Sequence, residues 1–91
     1  MSENMFPLGQ VVSTPAAAAI LAQNNVEPST LLGLHARLHS PELCTEDQQL
    51  NREAAECGDR VLSTYTVAET QLFVITEWDR SATTILLAEE Y

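Results

Sequence analysis

The sequence contains no lysine, and its four basic residues are all arginines. Thirteen carboxylates oppose them, which gives a formal net charge of −9. A chain this acidic repels nucleic acid and anionic membranes and favours encounters with basic protein surfaces. We therefore expect no direct binding to nucleic acid or to a membrane. The alternative is that the charge only keeps the protein soluble.

Long apolar runs and a secretory signal are also missing. The first residues, MSENMF, have neither the basic nor the apolar region of a signal peptide, and no apolar run reaches membrane-spanning length. We therefore expect a cytoplasmic protein. Because the two cysteines, Cys44 and Cys57, lie outside any CxxC spacing, we expect small buried thiols in a reducing compartment rather than a disulfide.

Catalytic and cofactor motifs are absent as well. The sequence has no P-loop, no GxGxxG and no GxSxG, so we predict a protein that is not an enzyme and binds no cofactor. His35 and His39 are four apart on a predicted helix, a spacing that can place two imidazoles on one face for a metal ion. No HExxH accompanies them, and the favoured interpretation is a core-edge His35 and a helix-end His39, with no metal site.

The size and hydrophobicity of the chain indicate one small folded domain. Ninety-one residues, of which 45% are hydrophobic, can form a single core but not two. We predict one domain over residues 1–91, in which residues 1–7 form a flexible lead-in.

Three helices are predicted in the first two thirds of the chain. They cover, in order, residues 15–24, the segment from Pro28 to Pro41, and the segment from Thr45 to Gly58. The Asn24-Asn25 pair supplies the left-handed residue that ends the first helix, and Gly58 ends the third. Gly33 weakens the second helix and indicates close packing or a frayed turn there.

Each predicted helix has a stripe of residues expected to face the core. These stripes are Ala18, Leu21 and Ala22 in the first helix, Leu31, Leu34, His35 and Leu38 in the second, and Leu50, Ala54 and Cys57 in the third. The outer face of the third helix carries Glu46, Gln49, Glu53 and Glu56. It is the densest local concentration of negative charge, either a solvated helix face or a binding face.

The last third of the chain is predicted to form a sheet. Strands at residues 61–67, 72–78 and 83–88 are rich in β-branched and aromatic residues, and connections at 68–71 and 79–82 make them consecutive. Residues 8–13 are a further edge strand or an extended lead-in. The prediction is an α+β fold with about three helices on one face of a three- to four-stranded antiparallel sheet. Trp78 and Tyr65 are either core residues or interface anchors.

Charged residues also gather where the second predicted strand ends. Glu77, Asp79 and Arg80 have the residue types needed for acid–base chemistry. The favoured interpretation is a hairpin tip stabilised by an Asp-turn and an Arg80–carboxylate pair. The residues we predict for partner binding combine this tip with the acidic helix: Glu46, Glu53, Glu56, Asp59, Glu77, Asp79 and Arg80.

The sequence resembles a group of small proteins carried by plasmids, phages and integrative elements of Proteobacteria. The resemblance runs through FPLGQVVSTPAA, EPSTLLGLH and LCTEDQQLNREAAECGDRVLSTY, and is most specific at the closing VITE-x-DRS-x-TT-x-LL stretch. It covers nearly the whole chain. It implies a setting on a mobile genetic element and implies no particular catalytic activity.

These observations favour a small acidic interaction protein of a mobile element. In this hypothesis it is an anti-defence inhibitor, an anti-CRISPR or antirestriction factor, whose partner is a basic surface of a host defence nuclease or CRISPR component. An alternative is an accessory regulator or oligomeric module for plasmid or phage maintenance, with a homodimer formed through an exposed sheet edge or apolar patch. A small metal-binding protein or enzyme is the least favoured alternative.

Overall fold

Three helices and a four-stranded sheet make up residues 6–39 and 45–91, the part of the chain described by this computed structural model. The elements are β1 (Gln10–Ser13), α1 (Pro15–Gln23), α2 (Pro28–Ala36), α3 (Thr45–Cys57), β2 (Val61–Val67), β3 (Thr70–Thr76), β4 (Ala82–Leu87) and a 3₁₀ helix (Ala88–Glu90). The predicted α+β class is confirmed. None of the helices in these two ranges has the length and hydrophobicity needed to cross a bilayer.

The sheet is mixed, so the prediction of an antiparallel sheet holds for only part of it. Its strand order is β1-β4-β3-β2. The pairs β2–β3 and β3–β4 are antiparallel, whereas β1 lies parallel to β4. A parallel pair needs a long connection, and here the three helices and the other strands separate β1 from β4. Local sequence patterns carry no information on the direction of such a distant pairing.

The β2–β3 hairpin turns more tightly than predicted. Its two central residues, Ala68 and Glu69, have φ values of 51° and 66°. Positive φ at both positions is the type I′ arrangement, which Asn-Gly or Asp-Gly would have marked in the sequence. As a result β3 covers Thr70–Thr76 rather than residues 72–78, and Trp78 lies beyond it.

One face of the sheet carries the main core, and α1 and α2 pack on it. Tyr65, Leu72, Val74 and Ile85 form this core together with Ala17, Leu21 and Leu31 of the helices. Helix α1 therefore buries Ala17 and Leu21, and not the predicted Ala18 and Ala22, which are exposed. A run of four alanines leaves the rotation of a helix ambiguous, because every side of it looks alike in sequence.

All three helices end with a left-handed residue: Asn25, Leu38 and Gly58, with φ values of 55°, 60° and 81°. After each of them, the next N–H donates to a carbonyl oxygen of the last helical turn. The predictions for Asn25 and Gly58 are confirmed. Helix α2 ends at Ala36, ahead of Pro41, which lies outside the described residues.

Helix α3 lies along the outer edge of β2, and its inner stripe differs from the prediction. Of the three predicted core residues only Ala54 is buried, while the Leu50 side chain is 60% exposed. Asn51 faces the sheet instead. Its Nδ2 donates to the Leu62 carbonyl at 2.5 Å, and its Oδ1 accepts the Leu62 N–H at 3.2 Å. The amide thus completes the hydrogen bonds of an edge residue, and this contact sets the rotation of the helix.

The rotation of α3 also corrects the prediction for one cysteine. Cys57, expected to be a buried thiol, is free and exposed at the end of α3. Cys44, for which the same was expected, lies outside the described residues. Phe6, which the sequence analysis placed in a flexible lead-in, is instead buried beside Ala54 and Val61.

Gly33 is open to substitution, which excludes the close-packing interpretation. A Cβ atom built there meets no heavy atom within 4 Å. We therefore expect Gly33→Ala to raise the free energy of unfolding by about 0.5–1 kcal/mol, because alanine loses less backbone entropy in a helix. Urea unfolding of the two proteins measures the difference.

Gly9 provides the matched control. It has φ +67°, and a Cβ built there lies 2.6 Å from the Ser81 carbonyl carbon. Gly9→Ala is thus expected to destabilise the fold. A neutral or destabilising Gly33→Ala substitution would contradict the described geometry of α2.

Candidate functional site

The two histidines do not share a helix face. His35 is fully buried under the sheet, whereas α2 ends at Ala36 and His39 lies exposed beyond it. Both ring nitrogens of His35 are engaged, Nδ1 with the Ser63 hydroxyl at 2.7 Å and Nε2 with the Thr76 hydroxyl at 2.8 Å. The metal-site interpretation of the pair is therefore wrong, because the His35 ring has no nitrogen left to bind a metal.

A chain of hydroxyl groups continues from the His35 ring and fixes its tautomer. The Thr83 hydroxyl donates to the Leu8 carbonyl at 2.7 Å and lies 2.7 Å from the Thr76 hydroxyl. Since the single hydroxyl proton of Thr83 goes to Leu8, Thr76 donates to Thr83, and His35 donates to Thr76 through Nε2–H. Nδ1 then accepts from Ser63. We call these five residues the His35 network.

The His35 ring is neutral in this arrangement. Burial, together with the positive charge of Arg80, lowers its pKa from 6.5 to about 4. The contact between Ser63 and His35 has the length of a nucleophile–base pair, but Ser63 is fully buried and offers no access to a substrate. The geometry fits a structural role that ties α2 to the sheet.

Arg80 joins the second hairpin to α3 and to the N-terminal segment. Its Nη1 donates to the carbonyls of Asp59 at 2.6 Å and Glu77 at 3.2 Å, and its Nη2 donates to the Ala54 carbonyl at 3.0 Å. The guanidinium also lies 5.2 Å from the centre of the Phe6 ring. The predicted Arg80–carboxylate pair is wrong, because the guanidinium binds carbonyls. One of them, Ala54, lies in the last turn of α3, where the helix dipole favours a cation.

The predicted Asp-turn is present in the hairpin tip. The carboxylate of Asp79 accepts the N–H of Ser81 at 3.0 Å, and hydrogen bonds from Ser81 lower the Asp79 pKa below its usual value. Asp79 is exposed and Glu77 is half-buried. The Asp79 carboxylate thus has a structural role in the turn.

The remaining predicted site residues form one surface on and after α3. Glu46, Glu53, Glu56 and Asp59 are all exposed, and the three glutamates lie on the side of the helix away from Asn51. We call these four residues the acidic surface. Arg80 places the Asp59 end of this surface next to the hairpin tip, because a single guanidinium nitrogen binds the carbonyls of both Asp59 and Glu77.

The hydrogen bonds described for three of the arginines do not go to the carboxylates of this surface. Arg37 donates through Nε to a backbone carbonyl, Arg60 donates to a tyrosine hydroxyl, and Arg80 donates to three carbonyls. None of these hydrogen bonds goes to a carboxylate. The fourth arginine, Arg52, is exposed on α3 itself, one turn before Glu56. Since α3 also carries four carboxylates, the helix keeps a net negative charge.

Apolar side chains are exposed close to the acidic surface. A shallow groove of about 240 Å³ between α3 and β2 is lined by Asp47, Leu50, Asn51 and Leu62. A carboxylate and two leucines at one groove match a partner side chain that has both apolar and basic parts, as arginine and lysine do.

Trp78 is 67% exposed in the hairpin tip, while Tyr65 is buried and donates to the His39 carbonyl at 2.9 Å. The core interpretation is therefore confirmed for Tyr65 and wrong for Trp78. Because tryptophan is enriched among the residues that dominate interface energetics, its exposure favours the interface-anchor interpretation.

Sequence reasoning missed several residues that organise the site. For Ser63, Thr76 and Thr83 a signal was present, because they are polar residues at inward positions of strands whose other inward residues are apolar. For Asn51 and Phe6 the sequence held no comparable signal, because their partners are backbone groups or a distant guanidinium. The missed residues are Phe6, Asn51, Ser63, Thr76 and Thr83.

Comparisons with protein-family models, with curated proteins and with solved structures find no match to this chain.

The low pKa of His35 predicts how stability depends on pH. As the pH falls from 6.5 towards 4, the unfolded chain binds a proton at His35 that the folded chain does not, so the free energy of unfolding falls. The loss approaches about 3 kcal/mol at the lower end of this range. Urea unfolding at several pH values measures it.

His39→Ala is the control, because it leaves the His35 network intact and should keep the slope, whereas His35→Gln should remove it. Asp79 and Glu90, whose pKa values are lowered from 3.8 and 4.5, add their own loss of stability only below about pH 5, so the slope between pH 6.5 and about 5 reports on His35. A wild-type protein of constant stability between pH 6.5 and 4.5 would contradict the assignment.

Proposed function

We propose that the protein is a non-enzymatic inhibitor encoded on a mobile genetic element, which blocks a host defence nuclease or CRISPR component. It occupies a basic surface of that partner which otherwise holds nucleic acid. The observation that carries the proposal is the acidic surface, whose four carboxylates are all exposed and receive none of the hydrogen bonds described for Arg37, Arg60 and Arg80. The resemblance to proteins of mobile elements supports the setting.

The spacing of the carboxylates suits a surface that binds a nucleic-acid backbone. At a rise of about 1.5 Å per residue, Glu46 and Glu56 lie about 15 Å apart along α3. That length corresponds to roughly four base-pair steps of a DNA strand at about 3.4 Å each. Arginines and lysines of the partner that contact successive phosphates would meet a row of carboxylates instead.

Charge and apolar contact have separate roles in this proposal. The acidic surface steers the encounter and selects a basic partner, and this contribution weakens as salt is added. Leu50 and Trp78, which are 60% and 67% exposed, supply the apolar area that holds the complex together. Arg80 is a positioning residue, because its guanidinium is already bound to the chain.

A restriction assay with charge-neutralised variants tests the proposal. Cells that carry a defined restriction or CRISPR system are challenged with phage or plasmid in the presence of the wild-type protein or of the triple variant Glu46→Gln/Glu53→Gln/Glu56→Gln. The wild type is expected to relieve restriction by at least one of the systems. The triple variant is expected to lose most of that effect, because three contacts to the basic surface are lost.

The matched control is the triple variant Glu27→Gln/Glu69→Gln/Glu89→Gln. It changes the net charge equally at exposed carboxylates outside the acidic surface, so it should still inhibit. Equal loss in the two triple variants would mean that only total charge matters. That result, or no change of restriction by the wild type in any system, would refute the proposal.

A further inference from the structure

The strand β1 ends the sheet with its outer backbone groups unpaired by any described strand. The N–H groups of Gln10 and Thr14 donate to Ser81 and Ile85 of the neighbouring segment, both at 3.0 Å. Because backbone groups alternate sides along a strand, the N–H and C=O groups of Val11 and Ser13 point away from β4. They are free to pair with another strand.

The two edges of the sheet are treated differently. At the β2 edge, the Asn51 amide binds both backbone groups of Leu62. The β1 edge has no charged residue and no proline within Gln10–Ser13, the devices that usually prevent pairing between sheet edges. Val11 and Val12 are also 44% and 42% exposed there. The β1 edge is thus suited to accept a strand.

The charge distribution indicates which strand pairs with the β1 edge. Residues 6–26, which include β1 and α1, contain no charged side chain in a protein whose net charge is −9. The Glu90 carboxylate accepts the Thr14 hydroxyl just past the end of β1, but no charge lies along Gln10–Ser13 itself to attract a basic partner. Two copies of the chain, which repel one another elsewhere, meet here without like charges in contact. The exposed side of α1 next to this edge consists largely of alanines, which let a second helix approach closely.

We propose that β1 pairs with β1 of a second copy in antiparallel orientation, with Val12 on the two-fold axis. Val11 then lies opposite Ser13 of the partner subunit, and two symmetric pairs of main-chain hydrogen bonds form. The two four-stranded sheets become one continuous sheet of eight strands. Val12 and its counterpart form the close, non-hydrogen-bonded pair at the centre.

The proposed dimer does not depend on the proposed function. It does determine where the two acidic surfaces lie relative to each other. In the strand order β2-β3-β4-β1 of each copy, the β2 edges and their α3 helices lie at opposite ends of the joined sheet. At about 4.8 Å per strand spacing, the two β2 strands are about 34 Å apart. The dimer therefore offers two separate acidic surfaces to a partner or to two partners.

Sedimentation equilibrium of the full chain tests the dimer. The wild type is expected to dimerise reversibly, and Val11→Pro is expected to weaken dimerisation by at least about tenfold, because it removes an outward N–H without affecting the bonds to β4. Leu50→Lys is the control, since it changes an exposed apolar residue away from β1 and should leave dimerisation unchanged.

Cysteine cross-linking tests the register and does not rely on Val11→Pro folding. In a Cys44→Ser/Cys57→Ser background, Val12→Cys should form an intermolecular disulfide at least tenfold faster than Val11→Cys, because residues on the axis face each other about 4.5 Å apart. A protein that stays monomeric at every concentration would overturn the proposal. So would a dimer in which Val12→Cys cross-links no faster than Val11→Cys. Either result leaves the restriction assay unaffected.

Discussion

The hydrogen bonds of the buried His35 ring are the interaction on which this fold depends most. Ser63 of β2 and Thr76 of β3 bind its two nitrogens, and Thr83 of β4 extends the network to the Leu8 carbonyl. A buried imidazole is costly unless both nitrogens are satisfied, and replacing one partner would leave a polar group unpaired in the core. The network therefore fixes where α2 sits on the sheet and where the segment before β1 crosses it.

Arg80 performs a comparable function at the surface. It binds carbonyls of α3, of the α3–β2 connection and of its own hairpin, and it lies against the Phe6 ring. The hydrogen bonds described for Arg37, Arg60 and Arg80 go to carbonyl or hydroxyl oxygens and not to the carboxylates on α3. Helix α3 therefore keeps a net negative charge at one edge of the sheet, whereas strand β1 at the other edge contains no charged residue.

Sequence patterns predicted the features that depend on neighbouring residues. The helix ends at Asn25 and Gly58, the strand at residues 61–67 and the Asp79 turn follow from capping, alternation and turn chemistry. The helical spacing of the charged residues in α3 also predicted that its outer face is exposed. Such patterns are read over a few residues, so they were sufficient wherever local chemistry decides the structure.

The failures arise where distant contacts decide. The rotation of α3 depends on Asn51 reaching the edge of β2, and the direction of β1 depends on its pairing with β4. The hairpin at Ala68 and Glu69 tolerates two left-handed residues of types that seldom adopt that conformation. Trp78 was predicted at the end of a strand that in the structure already ends at Thr76. The His35 network was visible only as polar residues at inward positions, and its meaning needed the three-dimensional structure.

The tautomer of His35 tests this account most directly, and nitrogen-15 NMR of the imidazole ring measures it. The hydrogen-bond chain predicts a neutral ring with the proton on Nε2 and an unprotonated Nδ1, unchanged from neutral pH down to well below 6.5. The His39→Ala variant leaves a single histidine and makes the assignment unambiguous. A ring protonated on Nδ1, or one that titrates near pH 6.5, would contradict the network and the fold built on it.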